Sequence, residues 1–105
     1  MDNILRVGAK TPVKKLANAI MMVLQDSEQC ELISIGAAST NQAVKAIASA
    51  NGLASTTGHT LISTPYFKMI HIDNDNSGKE ERTALVHLIR KVKVAEVVPV
   101  RVGSK

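Results

Sequence analysis

The sequence predicts an α/β domain of two layers (an α+β sandwich): a β-α-β-α-β-β chain whose four strands form a mixed sheet with two helices on one face. Three observations carry that expectation. Runs of alternating apolar residues are interleaved with two segments whose apolar or small residues recur at helical spacing. A length of 105 residues and 45% apolar content allow one self-supporting core, which excludes wholesale disorder, and the single Cys30 excludes a disulfide scaffold. Right-handed crossovers between strands that advance in one direction put both helices on the same side of the sheet and leave the other side open.

Residues 3–8 (NILRVG) alternate, with Leu5 and Val7 on one side and Arg6 on the other, and read as a short first strand. Thr11 and Pro12 announce a helix. Thr is a preferred N-cap, and Pro is tolerated at N1 because its missing N–H would have no intrahelical partner. Val13, Leu16, Ala17, Ile20, Val23 and Leu24 form one apolar stripe, and the helix should stop near Asp26. Residues 31–37 (ELISIGA) then place Ile33, Ile35 and Ala37 on one face of a second strand.

Ser39 or Thr40 is expected to cap a second helix, NQAVKAIASAN, which closes at Gly52. Ala43, Ala46, Ala48 and Ala50 give it little bulk, so the sheet or a partner subunit can come close. Residues 59–72 read as a strand in which Pro65 costs a ladder hydrogen bond and so marks an edge or a bulge. Residues 73–79 (DNDNSGK) read as a loop centred near Asn76, which pairs His71 close to Arg82, and residues 81–94 return as the fourth strand.

Both alternating sets of this hairpin are apolar. Leu85 and Ile89 oppose Val86 and Leu88, and Phe67 and Met69 oppose Ile70 and Ile72. A monomer would leave one set in water, which predicts a homo-oligomer, a dimer built on the hairpin face, unless the C-terminal residues fold back over it. The domain is expected to span residues 1–92, with 93–105 a basic extension. No apolar run is long enough to cross a bilayer, and the opening MDNILRVGAK lacks the apolar region and cleavage site of a signal peptide, so a cytoplasmic protein without membrane association is expected.

Formal charge is +4 and the pI about 9.5, but the placement of charge says more. No acid lies between Asp2 and Asp26 or between Glu31 and Asp73, and these gaps hold Arg6, Lys10, Lys14, Lys15, Lys45 and Lys68. With Thr11 as the cap, Lys14 and Lys15 fall at N3 and N4, where a cation opposes the helix macrodipole. That costs a few tenths to about 1 kcal/mol per exposed charge, and a docked anion would reverse the sign. A solvated basic face is the equal alternative. The second helix start offers Ser39, Thr40, Asn41 and Gln42 with Lys45 one turn later, although ordinary capping accounts for these residues as well. Both helices start beyond the C-terminal ends of their strands, so both starts should share one rim. Tyr66 and Phe67 are the only rings, which points to phosphate contacts rather than base stacking.

Other chemistry has little footing. No Gly-rich phosphate loop, metal-binding spacing or calcium-loop spacing is present, and no metal or cofactor is expected. His59, His71 and His87 are scattered and read as surface or interface imidazoles, and Cys30 as a buried or idle thiol.

The segments IGAASTNQAVKAIASANG (35–52), TPYFKMIHID (64–73) and EERTA (80–84), with LRVGAKTPVKKLANAI in register before them, resemble the stage V sporulation protein S family. That family is similar in turn to the Alba superfamily of small nucleic-acid-binding proteins. The resemblance implies an Alba-like sheet of strand order 1-2-4-3, dimers or higher assemblies, and nucleic acid held by lysines of the first strand-to-helix loop and by an extended hairpin. Lys10 falls in that loop, Lys14 and Lys15 follow it, and Lys79 and Arg82 fall on the hairpin beside Asp73 and Asp75. The expected function is therefore non-enzymatic and sequence-nonspecific binding of the nucleic-acid backbone, DNA ahead of RNA, in a regulator of sporulation or development. Expected contacts are Lys10, Lys14, Lys15, Asn41, Gln42, Lys45, Lys79 and Arg82. A regulatory assembly protein acting through protein contacts alone is the alternative.

Overall fold

Four strands and two helices follow one another as β1 (Ile4–Val7), α1 (Val13–Asp26), β2 (Gln29–Ser34), α2 (Ala37–Ser55), β3 (His59–Asn74) and β4 (Gly78–Lys93). They belong to a computed structural model that describes residues 3–74 and 78–94. The sheet order is β1-β2-β4-β3, with β1 parallel to β2 and β4 antiparallel to both β2 and β3. This is the mixed four-stranded sheet and the strand order that the resemblance implies. β4 takes an inner position because both of its side-chain rows are apolar, whereas β3, which carries Pro65, takes the edge.

The core lies between sheet and helices. Leu16, Ala17, Ile20, Val23 and Leu24 of α1 pack with Val7, Cys30, Leu32 and Ile89 of the sheet and with Ala43, Ala46 and Ala50 of α2. The alanines let α2 lie close against α1 and the strands. On the opposite face Ile33, Ala84 and Val86 are also withdrawn from solvent, beside Ile4, Ile35 and Ile70. Tyr66 reaches over β4 on that face, its hydroxyl donating to Glu31 Oε1 on β2 at 2.5 Å. The hairpin face on which the sequence places a dimer is thus already buried at its centre. The expectation that the C-terminal extension covers it falls outside the described residues beyond Val94.

Several boundaries differ from the sequence-based expectation, each for a local reason. Thr11 does not cap α1: its hydroxyl accepts a bond from the Gly8 N–H at 2.8 Å and closes the β1–α1 loop. Pro12 is the N-cap, so Lys14 and Lys15 stand at N2 and N3, one position closer to the helix start. β2 ends at Ser34, and α2 begins at Ala37 because Gly36, at φ +88° and ψ 162°, turns the chain at once. Ser39 and Thr40 therefore lie inside the first turn, where the Thr40 hydroxyl donates to the Gly36 carbonyl at 2.9 Å.

Gly52 does not end α2. The helix runs to Ser55, and the hydroxyls of Ser55, Thr56 and Thr57 donate back to the carbonyls of Gly52, Leu53 and Ala54 before Gly58, at φ +75°, reverses the chain. The loop expected at 73–79 is mostly strand. Pairing continues through Asp73–Lys79 to Asn74–Gly78, and His71 faces Glu81, next to Arg82.

The two glycines of α2 make opposite predictions. A Cβ would meet nothing within 4 Å at either Gly36 or Gly52, so only backbone conformation separates them. Gly36→Ala should cost about 1–3 kcal/mol, because its φ/ψ region is essentially reserved for glycine. Gly52→Ala should gain about 0.5–1 kcal/mol, because it replaces a helix-interior glycine. Urea denaturation of the two variants beside the parent checks the pair.

Candidate nucleic-acid interface

Both helix starts are open. Neither has a side-chain cap bond or an acid in its first turn, so backbone N–H groups at each start have no acceptor from a capping side chain. Because β1 and β2 are parallel and each leads into a helix, the two starts come to one end of the sheet. Gln42 fastens them together: its Nε2 donates to the Thr11 carbonyl at 2.9 Å, joining the first turns of α2 to the β1–α1 loop. This amide was expected to contact phosphate, and in the structure it holds the loop that carries Lys10.

Lys10, Lys14 and Lys15 are exposed around that loop, and none is ion-paired among the described residues. Lys14 borders the crease between the helices with Asn18, Ser49 and Leu53. Lys45 is exposed one turn beyond Asn41 on α2, and Asn41 lies beside Gly36 and Thr40 at the helix start. The floor of this rim is Ser34, whose buried hydroxyl contacts Thr40 Oγ1 at 3.0 Å and donates to the Leu85 carbonyl at 3.3 Å. It ties β2, α2 and β4 together at the point where the chain turns. Sequence reasoning passed over Ser34, since a small hydroxyl residue at a strand end has no distinctive spacing, and it read Thr11 as a helix cap rather than as the tie to Gly8.

Lys79 and Arg82 are not brought to the rim. β2 pairs no further than Ser34–Leu85, so the β3–β4 pairs from Lys68–Ala84 to Asn74–Gly78 project beyond it as a two-stranded arm. At 3.3 Å per residue, Lys79 lies about 20 Å along this arm from Leu85. The arm is balanced in charge among its described residues, with Lys68, Lys79 and Arg82 against Asp73, Glu80 and Glu81. Its cross-strand pairs put Lys79 opposite Asp73, and the His71 Nδ1 lies 4.0 Å from Glu81 Oε1. Positive potential is therefore concentrated at the rim rather than along the arm.

The titratable groups inside the domain are quiet. Burial, reinforced by the neighbouring Glu31 charge, pushes the Cys30 thiol up to about 12, so it remains protonated. The hydrogen bond to Glu31 raises the Tyr66 phenol. His87, read from the sequence as a surface or interface imidazole, is 8% exposed on the helix-facing side of β4, and burial lowers its pKa. Among the described residues no group of His, Cys, Asp and Glu could hold a metal ion, and no helix is long and apolar enough to cross a membrane.

Comparison with known proteins adds two findings. The family model described as Stage V sporulation protein S matches residues 3–97. Among solved structures, Alba from Thermoplasma volcanium superposes with a TM-score of 0.58 at 12% identity, over 84% of this chain and 99% of that one. At that identity the likeness is one of fold.

The buried imidazole predicts a pH dependence. His87 binds its proton less readily in the folded chain than in the unfolded one, so the unfolded state takes up more protons as pH falls below the unfolded pKa of 6.5. The parent should lose stability as pH falls below about 6.5. In His87→Gln that part of the slope should disappear, as read from urea midpoints at several pH values.

Proposed function

The chain belongs to the stage V sporulation protein S family, and from that premise we propose that it is a non-enzymatic nucleic-acid-binding protein of sporulation or a related developmental programme. It works in the cytoplasm as a homo-oligomer and holds the phosphate backbone at the rim formed by Lys10, Lys14, Lys15 and the two helix starts. The observation that carries this reading is the pairing of open N-terminal N–H groups with unpaired lysines, tied into one surface by the Gln42–Thr11 bond. Lysines at N2 and N3 oppose the α1 dipole in the free protein, and a phosphate placed among them interacts favourably with both.

The same arrangement favours backbone over base recognition. Only one aromatic side chain, Phe67, stands near the helix starts among the described residues, and lysine is a point charge without the planar fork of arginine. A double-stranded backbone, with its denser phosphates, suits a lysine cluster, and duplex DNA is the proposed ligand ahead of RNA. Asn41 and Lys45 extend the surface along α2, and Lys79 and Arg82 add weaker contacts on the arm. A binding role rather than catalysis is supported by the buried, protonated Cys30 thiol and the wide separation of His59, His71 and His87.

Duplex affinity should fall with salt at a slope of about −0.9 per phosphate neutralised. The triple variant Lys10→Glu, Lys14→Glu, Lys15→Glu should bind at least about tenfold more weakly and with a shallower slope. Glu at N2 and N3 complements the helix dipole, so the same variant should be more stable by about 0.5–2 kcal/mol. Weaker binding with higher stability, measured by fluorescence anisotropy and urea denaturation, separates a lost contact from a damaged fold. Parent affinity equal to that of a charge-matched control protein would instead favour an assembly role through protein contacts.

A further inference from the structure

The two faces of the sheet differ in charge. On the helix-bearing side, the hollows between α2 and β3 are lined by no Lys, Arg, Asp or Glu. The far side carries Arg6 on β1, Lys68 on β3, and Arg82 and Arg90 on β4. Register puts them there: Arg6 pairs with Ile33, Lys68 with Ala84 and Arg82 with Ile70, partners that all belong to the far-side cluster, and Arg90 alternates with the helix-side Ile89. All four cations are exposed, and none is ion-paired among the described residues. Two carboxylates share this face and neither is free, since Glu31 accepts from Tyr66 and Glu80 is also engaged.

The cations surround an apolar floor that carries one ring. Arg6, Ile33, Val86 and Tyr66 form a single cross-strand row, in which Ile33 and Val86 are buried. At about 4.8 Å per strand, Arg6 and Tyr66 stand about 14 Å apart at the ends of that row, and Arg82 and Arg90 lie about 26 Å apart along β4. The Tyr66 ring is 37% exposed. Its own strand fixes one end and the bond to Glu31 on β2 fixes the other, so a flat apolar surface is presented over β4 in a set position.

The kind of cation also differs from that at the rim. Every arginine among the described residues, Arg6, Arg82 and Arg90, stands on this face, whereas Lys10, Lys14 and Lys15 supply the rim. A guanidinium plane stacks on a base as well as holding a phosphate, and an ammonium group is only a point charge. A duplex keeps its base faces stacked inside, so it could meet these charges but not the ring or the planes. A single strand offers phosphates to the cations and unstacked base faces to Tyr66 and the guanidinium groups. A second copy of the chain would set four cations against the same four, and an acidic peptide would leave the ring and the planes unmatched.

We propose that the far face of the sheet is a second nucleic-acid surface, selective for single strands, on which Arg6, Lys68, Arg82 and Arg90 hold phosphates and a base stacks on Tyr66. It goes beyond the duplex site at the rim and does not depend on it.

Fluorescence anisotropy on the full chain tests it, with oligothymidine and oligouridine of about 16 nucleotides, a duplex, and heparin as probes. The parent should bind the single strands, and Tyr66→Leu should weaken that binding about fivefold or more while leaving heparin, which has no bases, bound as by the parent. Tyr66→Phe keeps the ring and should bind more tightly than Tyr66→Leu. Arg6→Gln combined with Arg90→Gln should make the single-strand salt slope shallower by about 1.4 and lower the ratio of single-strand to duplex affinity. The Lys10, Lys14, Lys15 triple variant should raise that ratio. The altered side chains are all exposed, so circular dichroism should show each variant folded. Tyr66→Leu binding like the parent, or a ratio that neither set of variants moves, overturns the single-strand surface. Single-strand binding without duplex binding supports it and overturns the reading of the rim, and duplex binding without single-strand binding does the reverse.

Discussion

The rest of the structure depends on burying β4 on both faces. One row of this strand, with His87 and Ile89, packs under the helices, and the other, with Ala84 and Val86, is sealed on the far side. A strand apolar on both sides is stable only with neighbours on either hand and cover above and below. That requirement places β4 between β2 and β3, forces β3 outward, and makes the last two strands longer than the sheet that supports them. The projecting arm follows from this mismatch in length, since β2 stops at Ser34 while the hairpin continues.

The same insertion separates two surfaces of different chemistry. At the end where β1 and β2 hand over to helices, capping is left to the backbone, lysines surround the open N–H groups, and Gln42 holds the two starts together. The hollows between α2 and β3 are lined by no Lys, Arg, Asp or Glu, small residues keep the helix low, and apolar side chains remain in view. One surface is basic and the other largely apolar. The alanine-rich face of α2 belongs to the core.

Legibility in the sequence followed how local the controlling interaction is. The α1 stripe from Val13 to Leu24 was legible because burial of one helix face imposes its spacing over four turns. Pro65 identified the edge strand because a missing N–H is a property of the residue itself. The lysine cluster was visible as a gap in the acids. Errors arose where a non-local bond replaced the local preference. Thr11 is a good cap in isolation but bonds to Gly8, Gly52 ends many helices but yields here to three successive hydroxyls, and DNDNSGK reads as a loop until Asp73 and Lys79 pair across the hairpin.

By itself the sequence determined the element order, the two-layer architecture, the absence of an aromatic platform and the basic character of the first strand-to-helix connection. These depend on residue type and short-range spacing. Only the tertiary structure decided which lysines share a surface, that Gln42 is a tie rather than a free contact, that His87 is buried without a partner at Nδ1, and which sheet face presents apolar residues to solvent. Those facts depend on strand register and on how far each strand outruns its neighbour, and neither is encoded in the periodicity of a single segment.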